Sequence, residues 1–141
     1  MPAAPLRNQP LLTREQLASR LDELYQAIDQ FNRRWYFESH ETLEDLWMVT
    51  PLPERDFMQG IIQLAAAFVH YARREYPGII KLLDLAHEKL SRFTPEAFGV
   101  DVGTLCEDIA RARAELVDLG PDRFLEFDES RVPCIRLDRQ A

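Results

Sequence analysis

The chain has 141 residues, 46% of them hydrophobic, and a formal net charge of −7 from 24 acidic and 17 basic side chains. That length and apolar content fit one compact domain with a real core. The acidic balance repels phosphate backbones and argues against nucleic acid as a partner; the basic pairs at 33–34 and 73–74 are short, have acids nearby and read as solvated helix surface.

Residues 1–12 hold three prolines and no periodicity, which predicts a flexible N-terminal arm ahead of a single helical domain over 13–141. They also lack the continuous apolar stretch of a secretory leader. A first helix starts at Thr13, which can cap it and form a capping box with Gln16, while Leu12 and Leu17 take the staple positions. Leu17, Leu21, Leu24, Ile28 and Phe31 follow at helical spacing, and "FNRRW" interrupts the pattern with Asn32 as a turn residue. A second helix is predicted over about 36–49, ended by "TPLP". A third covers about 54–75. Its uncharged run from Phe57 to Ala72 is too short and too polar to span a bilayer, so no membrane partner is expected and the protein reads as soluble and cytoplasmic.

Pro77 opens a fourth helix that runs to about Phe93. "TPEAFGVD" is a connector, and a fifth helix over about 102–119 is stopped by Gly120-Pro121. "VPCIRL" looks extended and should pin the tail to the bundle. No internal repeat is apparent. Cys106 reads as a small core residue, and a disulfide to Cys134 is disfavoured in a reducing compartment. The fold class is all-α: a single-domain up-and-down bundle of about five helices with an extended C-terminal tail.

The second helix raises a problem. With Phe37 set at zero on a helical wheel, Glu44, Met48, Glu41, His40 and Trp47 fall within about 80° of it, with Leu43 just beyond. Read as the core face, that arc carries His40 and Glu44 in its middle, and a buried carboxylate is costly unless paired. The third helix carries a matching uncharged stripe of Gln59, Gln63 and His70, lined by Gly60, Ala66 and Ala67. Folding the chain about residue 52 sets Glu44 level with Gln59 and Gly60, and His40 and Glu41 near Gln63. His70 then lies about 9 Å further along the axis, and Arg55 can reach a carboxylate near the other end. The candidate site is therefore a polar seam of His40, Glu41, Glu44, Arg55, Gln59, Gln63 and His70.

"FNRRWYFESHETLEDLW" followed by "RDFMQGIIQLAAAFVH" resembles domain-of-unknown-function family 309 of bacteria and archaea, whose pattern is F-N-x-G-x-Y-F-E-x-H-E-x-L-E-x-x-W and then R-x-F-x-Q-G-L-I-Q-x-A-x-A-x-x-H. Phe31, Asn32, Tyr36, Phe37, Glu38, His40, Glu41, Leu43, Glu44 and Trp47 match. Arg55, Phe57, Gln59, Gly60, Ile62, Gln63, Ala65, Ala67 and His70 match as well. The resemblance spans a core of 31–93. Arg34 stands where the family has Gly, and "REYPG" replaces a Gly-Asn-type turn. The resemblance implies a small all-helical bundle and no particular reaction.

Three readings of the seam stay open. It is a buried polar network that fixes helix register; a divalent-metal site, for which His40 and Glu44 at i, i+4 are the candidate ligands; or a small-molecule or acid–base site. A fourth reading is a pure interaction module. Two-fold homodimers are common enough to keep a homo-oligomer in view. No nucleophile motif, Gly-rich loop or Cys cluster points to an enzyme class.

Overall fold

A computed structural model describes residues 10–137 of the chain. Most of the arm expected over 1–12 lies outside them. The fold is a single all-α domain with a very small hairpin: α1 (Arg14–Ser19), α2 (Leu21–Asn32), α3 (Tyr36–Val49), α4 (Glu54–Ala72), α5 (Tyr76–Leu90), β1 (Glu96–Ala97), β2 (Val100–Asp101) and α6 (Val102–Arg123). None of its helices is long and apolar enough to cross a membrane, among the described residues.

The predicted first helix is two. The Thr13–Gln16 capping box forms, but the chain leaves helical geometry at Arg20, whose side chain chelates Glu23, and α2 starts afresh. The predicted stop at Gly120-Pro121 is met: Gly120 leaves helical geometry at φ 76°, ψ 179°, and a separate short turn follows to Arg123. The connector also differs from expectation. Glu96 and Ala97 pair antiparallel with Asp101 and Val100, and Asp101 then caps α6 by accepting from the Thr104 N–H.

Each long helix packs antiparallel on the next. Val49 O at the end of α3 accepts from Leu12 N ahead of α1, while Ser39 near its start reaches Ala27 of α2. Tyr36 opens α3 against Phe68 late in α4, with ring centroids 5.5 Å apart, which satisfies the fold about residue 52. A Cβ on Gly60, early in α4, would lie 2.8 Å from Leu90 at the end of α5. Tyr76 at the start of α5 donates to Leu116 O of α6. The tail is pinned: the Asn32 side chain donates to Ile135 O and accepts from Ile135 N, and Asp101 N donates to Arg136 O.

A repeat does emerge once burial is known. Leu24, Ala27, Ile28 and Phe31 of α2 correspond, at one constant offset along the chain, to Leu64, Ala67, Phe68 and Tyr71 of α4. At the same offset Ser39, Leu43, Leu46 and Thr50 correspond to the buried Ile79, Leu83, Ala86 and Leu90. Both turns close the same way. Trp35 N donates to Gln30 O and Glu75 N to His70 O, with Arg34 and Arg74 at φ 69° and 62°. This is a Schellman closure with arginine in the left-handed position that glycine fills without strain. The two hairpins share buried positions but few identities, so the repeat is hidden in the letters.

The electrostatics of these junctions set an acid limit. Hydrogen bonds from Thr104, through its backbone and then its side chain, hold the Asp101 carboxyl below the ordinary carboxylate range, and Arg131 does the same for Glu115. Folded values below unfolded ones mean that this stabilisation is fully present above the ordinary carboxylate range. It is lost as pH falls through that range toward the folded values. The urea midpoint is therefore expected to be level near neutrality and to decline below about pH 4, with Asp101→Asn flattening part of the decline.

Candidate functional site

The core face of α3 is not the predicted one. The buried residues are Ser39, Leu43, Leu46 and Val49, centred on the side of the helix away from Phe37, which is 47% exposed. The apolar residues of α3 lie all around its axis, so periodicity leaves the face ambiguous. The tertiary fit decides: Ser39 is small and donates its hydroxyl to Ala27 O at 2.7 Å, allowing α2 to approach closely. His40, Glu44 and Trp47 fall on the flank facing α4, each partly buried.

The seam residues do not bond to one another. Among the described residues, no direct side-chain hydrogen bond links any two of His40, Glu41, Glu44, Arg55, Gln59, Gln63 and His70. His40 Nδ1, Trp47 Nε1 and Gln63 Oε1 are buried polar atoms with no hydrogen-bond partner among the described residues. Glu41 is exposed and Glu44 half-buried, its side chain without a hydrogen-bonding partner among the described residues. Arg55 does not meet a carboxylate; its guanidinium sits over the Trp47 ring, 4.5 Å from the centroid. Gly60 turns away from the seam to admit Leu90 of α5. Since the Glu44 side chain has no hydrogen-bond partner among the described residues, Glu44→Ala is expected to change stability by less than about 0.5 kcal/mol in urea unfolding.

The structure assembles a different group from part of the seam. His40, His70, Phe37, Ala66, Val69 and Arg73 line a partly open cleft of about 180 Å³ between α3 and the end of α4. The predicted axial separation of about 9 Å counted rise per residue alone and overlooked side-chain direction. Helical Cα–Cβ bonds tilt toward the N-terminus, so in an antiparallel pair His40 leans toward residue 36 and His70 toward residue 66, and the two converge. The Phe37 ring stacks beside His40, with centroids 6.3 Å apart. A second cleft of about 260 Å³ shares Phe37, Val69 and Arg73 and adds Arg34, Tyr36, Glu38 and Ala72. Burial pushes the Tyr36 hydroxyl up to about 12, so it stays neutral across the physiological range.

His70 is held from its far side. Its Nδ1 lies 2.8 Å from a Glu75 carboxylate oxygen, and a Cβ added at Gly78 would come within 2.7 Å of the same nitrogen. Arg73 is exposed, and its guanidinium has no hydrogen bond or ion pair among the described residues. By contrast Arg33 pairs with Asp29 and Arg34 with Glu129. Sequence reasoning missed Arg73, Glu75 and Gly78, having taken the basic pair for solvated surface. The signal that could have found them is the recurrence of "RRWY" at 33–36 as "RREY" at 73–76, which marks the same turn at the same end of the bundle.

Comparison with known proteins agrees with the resemblance noted above. Residues 24–82 match the family model described as "Domain of unknown function (DUF309)". The chain is 35% identical over 82 residues to the uncharacterized protein YpuF of Bacillus subtilis, a match covering 52% of this chain and 44% of that protein. The chain thus spans less than half the length of that curated relative. No solved structure matches.

Proposed function

We propose that this chain, whose residues 24–82 match the DUF309 family model, binds a small organic anion in the cleft between His40, His70 and Arg73. The observation that carries this reading is Arg73: a guanidinium without an ion-pair partner among the described residues, set at a cleft with two imidazoles and an apolar wall. A guanidinium offers a planar fork of donors suited to a carboxylate or phosphate, while Phe37 and Val69 supply apolar contact. Pockets for drug-sized ligands start at about 300 Å³, and this cleft is smaller, which favours a ligand of few heavy atoms. A small anion also feels mainly the local cationic group, whereas an extended polyanion meets the full charge of −7.

The test is a titration of isotope-labelled protein with propionate and with inorganic phosphate, followed by NMR. Saturable shifts confined to residues around the cleft, lost in Arg73→Ala, support the reading. Absence of saturable shifts with either anion at high millimolar concentration removes it. Among the described residues, no three His, Cys, Asp or Glu side chains are grouped to hold a metal ion, so the anion is preferred to the divalent cation suggested by His40 and Glu44. A parallel zinc titration that perturbed both imidazoles at stoichiometric metal would reverse that preference.

A second reading, an interaction module, is favoured by the aromatics Trp35 and Phe37, 51% and 47% exposed, the latter lining both clefts. Large exposed aromatics next to a groove are typical of contact surfaces. Concentration-dependent sedimentation abolished by Phe37→Ser would support self-association through this face.

A further inference from the structure

We infer that the ligand of this cleft carries a hydrogen-bond donor, a hydroxyl, adjacent to its anionic group, so that a 2-hydroxycarboxylate fits better than the plain carboxylate. The inference rests on the anion-binding reading above and deepens it. A carboxylate can only accept, so the 2.8 Å contact makes His70 Nδ1 the donor to Glu75. In the neutral imidazole the proton is then committed to Nδ1, and Nε2 presents a lone pair. A Cβ at Gly78 would come within 2.7 Å of the same nitrogen, so the glycine leaves the ring the space it occupies beside Glu75. The cleft thus offers donors at Arg73 for an anion and a fixed acceptor at His70. A plain carboxylate uses the first and leaves the second unpaired. A 2-hydroxycarboxylate uses both, its hydroxyl donating to Nε2 while its carboxylate accepts from the guanidinium. Glu75 does not line the cleft; it acts through His70 as a positioning residue.

The experiment compares propionate with lactate, which differ by one hydroxyl, on the full chain by NMR titration. Lactate is expected to bind about fivefold more tightly, the ordinary contribution of one added hydrogen bond. Glu75→Ala should bring lactate down to parity with propionate while leaving propionate binding in place. Glu75 is half exposed, so the fold should tolerate the change. Gly78→Ala, which pushes a methyl against Nδ1, should do the same from the other side. Long-range proton–nitrogen spectra of neutral His70 should show Nδ1 protonated in the wild type and a mixture of tautomers in Glu75→Ala, a signature that a merely structural role would not move. Equal affinities for lactate and propionate in the wild type would overturn this inference and leave the anion site standing. A lactate preference that survives Glu75→Ala would overturn it as well. Binding of neither compound would remove the underlying reading with it.

Discussion

Phe68→Ala is expected to destabilise the protein by about 3–5 kcal/mol, the largest effect of any single substitution considered. Phe68 is fully buried, and its ring lies 6.2 Å from Phe31, 5.5 Å from Tyr36 and 6.2 Å from Tyr71, centroid to centroid. It therefore touches α2, α3 and its own helix at once, at the point where the two hairpins of the repeat meet. Removing the ring loses transfer free energy and leaves a void that three separate elements would have to move to fill. Aromatic pair geometry adds about 0.5–1.5 kcal/mol per contact beyond area. Urea unfolding followed by circular dichroism gives the number directly. Phe68→Leu keeps most of the volume and should lose markedly less. A loss below about 1 kcal/mol for the alanine variant would mean that this aromatic cluster is not the junction of the fold.

Gly60→Val should cost about 2–3 kcal/mol, although valine has the better helix propensity by a few tenths. The two effects oppose each other, and contact decides between them. A Cβ at position 60 would come within 2.8 Å of both Leu90 Cγ and Cδ2, and Leu90 is itself fully buried, so its side chain cannot swing into solvent. Glycine here sets the distance between α4 and α5. Gly103 in α6 is the control, because a Cβ there meets nothing closer than 3.8 Å. Gly103→Ala should be neutral or stabilising by up to about 1 kcal/mol. If both substitutions behave alike in thermal unfolding, propensity rather than packing governs position 60.

The two clefts around Phe37 join the architecture to the proposed site. Because the hairpins repeat at a constant offset, their turns come to the same end of the bundle, and the arginine pairs 33–34 and 73–74 come with them. In the first hairpin both arginines are neutralised by Asp29 and Glu129. In the second, Arg73 is left for the cleft. The recurring turn thus places one arginine of a basic pair at the cleft of an acidic protein.

Much of the helical framework was legible from local chemistry. The Thr13 capping box, the proline punctuation at 51–53 and Pro77, and the apolar spacing of α2, α5 and α6 are encoded within a turn or two of chain, so residue order alone locates them. Folding about residue 52 followed from loop length. The errors share one cause: they concern choices that local periodicity leaves degenerate. The apolar residues of α3 surround its axis, and only the fit of Ser39 against Ala27 selects the Leu43–Leu46 side as core. Gly60 could serve either neighbouring helix, and Leu90 claims it. Position along an axis was computed from rise per residue, but it is the tilt of side chains in an antiparallel pair that brings His40 and His70 to one cleft. The sequence by itself thus determined most of the helices and their order. Only the tertiary structure decided which polar groups meet, because meeting depends on helix rotation and side-chain direction, which packing sets and local spacing does not.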